Sequence, residues 1–252
     1  MIPAVVVRRI RALRQQYPRW GRAKLRILLR REGIRLAANT IDRGLARLRT
    51  PAASSNHPDW PSQRIDDGPP APMPSVNHET MRPRLPRDLV QVDTLDVRPL
   101  PGVILKQFTA REVVSRWDVI EAYRRATSIT ATQFLATWQR RMPVPIRAIQ
   151  VDGGSEFAAA FEQACQQQGI RLFVLPPRSP KLNGAVERAN RTHTDEFYES
   201  YTGELDLPTL RAAQRDWEHT YNHIRPHQAL GYWTPAEFLA HHLASRPPSH
   251  ML

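Results

Sequence analysis

Residues 89–97 read Leu-Val-Gln-Val-Asp-Thr-Leu-Asp-Val. The alternation of apolar and polar positions predicts a β-strand with one face in a core. Asp93 stands in the middle of that strand. An acid there is costly to bury unless it is paired or bound to a cation. The two-residue period of a strand sends Asp93 and Asp96 to opposite faces, so they do not line one site.

Outward from this strand, residues 103–109 and 117–123 predict two more strands. A helix is expected at 130–141, buried through Ala131, Phe134, Leu135 and Trp138. A strand at 146–151, a helix at 157–168 and a strand at 171–175 follow. A long helix runs from about residue 180 to 198, and another, at 209–221, buries Leu210, Ala213, Trp217 and Tyr221. Three strands followed by alternating helix and strand predict a mixed α/β sheet flanked by helices. Thr234, Pro235 and Glu237 take the N-cap, N1 and N3 positions of a capping box. Trp117, Trp138 and Trp217 are assigned to the core, as is Cys165.

Two further acids stand out. Asp152 ends the fourth strand in Ile-Gln-Val-Asp-Gly-Gly-Ser-Glu-Phe, residues 149–157. Gly153 and Gly154 allow a sharp turn there, and the carboxyl ends of such strands are where ligands of open α/β sheets gather. Glu187 lies on the long helix, in Ser-Pro-Lys-Leu-Asn-Gly-Ala-Val-Glu-Arg, residues 179–188. Three carboxylates brought close together repel one another. A divalent cation removes that cost, and Mg²⁺ takes oxygen ligands while keeping several waters. Two such ions ~4 Å apart can serve both the attacking and leaving oxygens of phosphoryl transfer.

The charge is unevenly spread. The 252-residue chain has a formal net charge of +12. Residues 1–50 hold 14 basic and 2 acidic residues, so the rest of the chain is neutral overall. A basic segment of this kind points to a polyanion, most simply nucleic acid. Its apolar spacing predicts three helices. Val6, Ile10 and Leu13 mark the first, which Tyr17 and Pro18 stop. Leu25, Leu28 and Leu29 mark the second, at 22–31, ended by Gly33. The third, at 40–49, is capped by Asn39 and buried through Ile41, Leu45 and Leu48. This pattern predicts a helix-turn-helix domain over residues 1–50, whose last helix would enter the major groove of double-stranded DNA. Arg22, Lys24, Asn39, Thr40, Arg43 and Arg47 are its candidate DNA contacts. Residues 51–86 carry 9 of the 23 prolines and predict a linker. The catalytic core with its helical extension is assigned to 87–240, and a tail to 241–252.

No apolar run nears the roughly 20 residues of a membrane span. The lone Cys165 supports neither a disulfide framework nor a cysteine-rich zinc site. The expected location is cytoplasmic, associated with a bacterial nucleoid.

Taken together, these residues resemble the catalytic core of insertion-sequence transposases of the retroviral-integrase (DDE) type. The resemblance rests on Val-Asp-Thr at 92–94, on the runs around Asp152 and Glu187, and on Tyr-Asn-His-Ile-Arg-Pro-His-Gln-Ala-Leu-Gly at 221–231 followed by Thr-Pro-Ala-Glu-Phe-Leu at 234–239. Residues 17–24, Tyr-Pro-Arg-Trp-Gly-Arg-Ala-Lys, resemble the helix-turn-helix such proteins carry ahead of the core. The resemblance implies a ribonuclease H-like fold. It implies Asp93, Asp152 and Glu187 as catalytic, metal-binding residues for Mg²⁺ or Mn²⁺, with two ions. The implied chemistry is metal-dependent cleavage at the element's ends, then attack of the freed 3′-hydroxyl on target DNA. Multimers acting on paired DNA ends are implied as well.

Around the acids, Lys181, Arg188 and Arg191 are expected to hold phosphates near the scissile bond. Asn183 and Arg191 lie four residues either side of Glu187, which would put them on its face. Glu156 is read as structural or substrate-positioning. Arg225, Pro226 and His227 are read as a packed, extended connection, not part of a zinc site with His219 and His223. Where relatives carry an Asp ahead of Ser115 and Arg116, this chain has Glu112, and its segment ahead of Tyr17 is short. Those departures leave room for a truncated DNA-binding relic or repressor of a related element, or for a nuclease that does not join strands.

Overall fold

The computed structural model describes residues 2–46, 83–100, 102–176, 182–204 and 206–245. Arg47, Lys181, Leu48, the 51–82 part of the expected linker and the end of the expected tail lie outside the described residues.

Three helices open the chain, α1 (Ala4–Gln16), α2 (Arg22–Arg31) and α3 (Ala38–Ala46). They meet around Ile10, Leu13, Trp20, Leu25, Leu28, Leu29 and Ile41. Gly33, at φ +79°, closes α2: the Ile34 N–H bonds to the Leu29 carbonyl and that of Gly33 to the Arg30 carbonyl. This left-handed stop is one that glycine enters at little cost. Gly44 lets α3 approach α1, because a Cβ there would stand 3.0 Å from Ile10 Cδ1. Helix α3 starts earlier than expected. Ala37 receives the first helical N–H bonds, so Asn39 lies inside α3 instead of capping it.

The sheet has five strands: β1 (Val90–Leu100), β2 (Val103–Glu112), β3 (Asp118–Tyr123), β4 (Ala148–Val151) and β5 (Arg171–Val174). Their order is β3-β2-β1-β4-β5. The first three pair antiparallel, while β4 joins β1, and β5 joins β4, in parallel. Helices α4 (Ser128–Arg141) and α5 (Ala160–Gln167) cover one face, where Val90, Val92, Phe108, Val119, Ile149 and Val151 meet Phe134, Trp138 and Phe161. Helices α6 (Gly184–Glu196) and α7 (Leu207–His219) cover the other. There Val97, Leu105, Ile120 and Ala122 meet Phe197, Leu210, Trp217 and Tyr221. Trp117, Trp138 and Trp217 are all buried, in line with their reading as core.

Some boundaries differ from those the sequence suggests. The expected helix at 157–168 is split into a 3₁₀ turn, Ser155–Phe157, and α5. Ala159, at φ +50°, breaks it. After α7 the chain makes a π-helical turn, Thr220–Ile224, before leaving extended at Arg225. Helix α8 (Pro235–Ala244) begins at the capping box of Thr234 and Glu237 and continues past residue 240. The three-helix unit packs on the rest through Ile224. Ion pairs support this contact: Lys24 with Glu196 at 2.5 Å, Arg31 with Glu237 at 2.6 Å, and Arg19 with Glu199.

Candidate active site

The two sheet faces differ in chemistry. On the face toward α6 and α7, several positions are polar and buried: Gln91, Asp93, Gln107, Thr109, Arg111, Asp118 and Gln150. The parallel register pairs Gln91 with Gln150 and Val92 with Val151. The next residues are Asp93 and Asp152. Neighbouring strands run about 4.8 Å apart, so this register sets the two acids side by side at the carboxyl end of β4. Asp93 is 9% exposed. Its Oδ1 accepts the Thr94 N–H at 2.9 Å, and its Oδ2 accepts from Asn190 Nδ2 at 2.9 Å. Asp152 Oδ1 accepts the Gly154 N–H at 3.2 Å.

Glu187 is carried in the first turn of α6. It lies three residues before Asn190, about one helical turn. The helix that bears Glu187 is thus tied to the strand that bears Asp93. Its N-terminus is also fixed from below. Gln91 Oε1 accepts the N–H groups of Ala185 and Val186, both at 3.1 Å. The side-chain amides of Gln91 and Gln150 both donate to the Leu182 carbonyl at 2.7 Å. Asn183, the N-cap residue, makes no capping bond through its side chain. Two paired glutamines therefore supply the cap from the sheet, which lies some ninety residues away in sequence for Gln91. Sequence reading missed both. Their only signal was a polar residue two before each acid, a spacing that shares the acid's face.

Beneath α6 lies a buried ion pair. Arg111 Nε and Nη2 reach the two Asp118 oxygens at 2.7 Å each, and Arg111 Nη1 donates to the Ala185 carbonyl at 2.9 Å. Arg111 also donates to the Tyr221 hydroxyl. Burial works against the Asp118 charge, but Arg111 and His193 outweigh it and hold the carboxyl below its ordinary range. Trp217 Nε1 can only donate, so His193 Nδ1 accepts from it at 2.9 Å and the ring proton lies on Nε2. That nitrogen is 3.1 Å from Asp118 Oδ2. Burial keeps His193 low in basicity, hence neutral.

Glu112 also has a structural role. It is fully buried and its carboxylate accepts the N–H groups of Val114 and Ser115 and the Ser115 hydroxyl, fastening the turn between β2 and β3. Glu156 lies beside Asp152: a Cβ on Gly154 would come within 2.7 Å of Glu156 Oε2 and 3.1 Å of Asp152 Oδ1. His227 Nε2 donates to the Tyr221 carbonyl at 3.1 Å, and Arg225 pairs with Glu196 at 2.6 Å. The segment 225–227 is packed, as read from the sequence.

The expected DNA contacts fare unequally. Arg22 pairs with Asp42 at 2.6 Å, and Arg43, like Asn39, is exposed. Thr40 is half-buried and accepts from Arg43 at 3.4 Å. Lys24 is instead drawn to the core, against Glu196. Asn183 is 3% exposed and sits at the helix cap, not on the face of Glu187. Arg191 is 85% exposed and lies 3.8 Å from Asp195. At 100° per residue, Arg188 falls away from Glu187 and lines a cleft on the other side of α6.

Residues 168–235 match the family described as Integrase core domain. Over that stretch the chain is similar to integrase cores. The match takes in Glu187 but neither Asp93 nor Asp152. The chain is 35% identical over 97 residues to the uncharacterized 39.2 kDa protein of insertion element IS476 from Xanthomonas euvesicatoria, covering 38% of this chain and 28% of that protein. It is 33% identical over 100 residues to the uncharacterized 31.7 kDa protein of insertion element IS407 from Burkholderia multivorans, covering 39% of this chain and 36% of that protein. The matches thus span about a third of the length of these curated relatives. Among solved structures, a chain of the simian T-cell lymphotropic virus intasome in complex with PP2A regulatory subunit B56 gamma aligns with a TM-score of 0.57 at 20% identity, over 90% of this chain and 73% of that one. The HTLV-2 integrase catalytic core domain in complex with magnesium aligns with a TM-score of 0.53 at 17% identity, over 62% of this chain and 99% of that one. The five-stranded mixed sheet between helices therefore has the ribonuclease H-like fold.

The donor set within β1 and just past the end of β4 suits a hard cation, since carboxylate oxygens are the ligands Mg²⁺ and Mn²⁺ prefer. Among the described residues, the buried Asn190 Oδ1 has no hydrogen-bond partner, and water around a cation could satisfy it. Among the described residues, no group of three or more His, Cys, Asp or Glu side chains converges to hold a metal ion. The fit is thus one of donor chemistry and strand position. Among the described residues, no helix is long and apolar enough to cross a membrane.

Proposed function

We propose that this chain is a DNA transposase. It would cut at the ends of its element in a metal-dependent reaction and join the freed 3′-hydroxyl to target DNA. The observation that carries this reading is the parallel β1–β4 register, which makes Asp93 and Asp152 neighbours. Asn190 adds to it by linking Asp93 to the helix of Glu187. The similarity to insertion-element proteins supports the same reading.

Asp93, Asp152 and Glu187 would hold Mg²⁺ or Mn²⁺, as two ions. Bound there, the ions would supply positive charge against the oxygens of the scissile phosphate. The protein's own residues do the positioning. Gln91 and Gln150 hold the start of α6 on the sheet, and Asn190 fixes the Asp93 carboxylate. The helical segment α1–α3 would bind the element's ends as a helix-turn-helix module, through Arg22, Asn39, Thr40, Arg43 and Arg47. Paired ends imply a homo-oligomer on double-stranded DNA, at a nucleoid in a bacterial cytoplasm. In joining, the 3′-oxygen bonds to a target phosphorus as the bond to the departing 3′-oxygen breaks, so no covalent protein intermediate is needed.

The test is strand transfer by the purified protein on terminal-repeat DNA with Mg²⁺ or Mn²⁺. Joined product that Asp152→Asn abolishes is expected. No joined product from the unaltered chain, or undiminished product from the variant, overturns the reading.

A further inference from the structure

Helix α6 has a second working face. Seen down its axis, Ala185, Arg188 and Thr192 lie together, about 130° around from Glu187. They line a cleft of about 620 Å³ between α6, the β2–β3 turn, α2 and the segment 225–229. That volume is within the range of pockets that bury a small organic ligand, roughly 300–1,000 Å³.

The cleft is lined by Lys24, Arg111, Arg116, Arg188 and Arg225 and, among the described residues, by no acid. Three of these cations are neutralised from behind. Arg111 is paired with Asp118, while Lys24 and Arg225 share Glu196. Arg116 and Arg188 have no side-chain hydrogen bond or ion pair among the described residues. They face each other and Arg111 closely enough that this repulsion, after burial, draws Arg116 below its ordinary basicity. Arg116 is also held in a backbone conformation, φ +63°, that a residue with a side chain seldom adopts. The turn that holds it is fastened by the buried Glu112 carboxylate and by bonds from the Arg116 N–H to the Glu112 carbonyl and from the Glu112 N–H to the Trp117 carbonyl. Unpaired guanidinium groups gathered this way match the oxygens of a phosphate, which arginine can bind through two parallel bonds.

We propose that this cleft binds the phosphate of a nucleotide unit through Arg116 and Arg188, apart from the three acids on the other side of α6. Two sources share this chemistry, a DNA strand and a free nucleotide. Only the DNA source rests on the function proposed above. Lys24 comes from α2, so a bound phosphate would also bridge the helical unit to the core.

The test uses the full chain in EDTA, which removes divalent cations from the acids. Binding of a fluorescein-labelled oligonucleotide, of ADP and of inorganic pyrophosphate is measured for the unaltered protein, for R116Q and R188Q, and for R215Q. Arg215 is exposed on α7 away from the cleft, and its replacement removes one charge without touching the cleft. R116Q and R188Q should each weaken binding about tenfold, as expected for loss of a charge-assisted bond, and R215Q should not. R116K, which keeps the charge, should retain part of the affinity. Oligonucleotide binding alone assigns the cleft to a strand; ADP or pyrophosphate binding assigns it to free nucleotides. Thermal stabilisation by pyrophosphate, lost in R116Q, checks the site without relying on the labelled probe. The proposal is overturned if R116Q and R188Q bind all three probes like R215Q, or if none of the probes binds the unaltered protein. Cleft binding without strand transfer would instead overturn the transposase reading and leave this one standing.

Discussion

Asn190 Nδ2, on α6, donates to Asp93 Oδ2, on β1, at 2.9 Å. This buried hydrogen bond joins the strand of the first acid to the helix of the third, beside the bonds that Gln91 accepts from Ala185 and Val186. Asn190→Ala removes it from a carboxylate whose orientation matters to the proposed chemistry. Strand transfer should fall about tenfold, equivalent to a bond to a charged group. Circular dichroism should remain that of the unaltered protein. Unchanged strand transfer would show that Asp93 is oriented without Asn190.

Gln91 offers a test of how α6 is anchored. Gln91→Leu keeps the size of the side chain but leaves the Ala185 and Val186 N–H groups and the Leu182 carbonyl with fewer partners. Urea unfolding should show a loss of about 1–3 kcal/mol. Activity should fall further than stability alone explains, because Glu187 rides on that turn. Gln150→Leu should be milder, since it removes only one of the two donors to Leu182.

The Arg111–Asp118 pair is deeply buried, with side chains 3% and 1% exposed. Asp118→Asn leaves the guanidinium poorly compensated, and unfolding free energy should drop by about 3–5 kcal/mol. Exchanging both residues for apolar ones of similar size should cost less than the single change. A double variant as unstable as Asp118→Asn would mean that the pair's bonds to Ala185 and Tyr221 matter more than its charge.

Glu218 gives a pH dependence with a definite sign. Burial pushes its carboxyl up to about 7, against the opposing bonds from the Ile120 N–H and Arg141. The folded state therefore holds this proton more tightly than the unfolded one. Its contribution is fully present below the unfolded value near 4.5 and is lost as pH rises through about 7. Glu218→Gln should be less sensitive to pH between 5 and 8, gaining stability relative to the unaltered chain at the alkaline end. His227 acts in the opposite direction. Burial and Arg225 lower it to about 3, so its contribution is present above the unfolded value near 6.5 and is lost as pH falls toward 3. Urea midpoints across pH 3–9 for both chains separate the two groups; parallel curves for Glu218→Gln and the unaltered chain between pH 5 and 8 would count against the Glu218 assignment.

Much of the fold was legible because its signals are local. The stripe Leu25, Leu28, Leu29 marks α2, the alternation around Asp93 marks β1, and Thr234 with Glu237 marks the start of α8. Each depends on neighbours within a few residues, where backbone geometry ties spacing to burial. Where a local signal was overruled, a backbone feature explains it: Ala159 at φ +50° interrupts the helix that apolar spacing carries from Phe157 onward.

The sequence by itself determined the element types and put acids at 93, 152 and 187 at places where a strand or helix can present them. Only the tertiary structure decided which side chains meet. The β1–β4 register, with Gln91 beside Gln150, follows from how two distant strands share hydrogen bonds. That Lys24 turns to Glu196, and Arg188 to the cleft instead of the face of Glu187, follows from the packing of α6 between the sheet and α2. Helical and strand periods fix a residue's position around its own element. They carry no information about what long-range packing sets against that face.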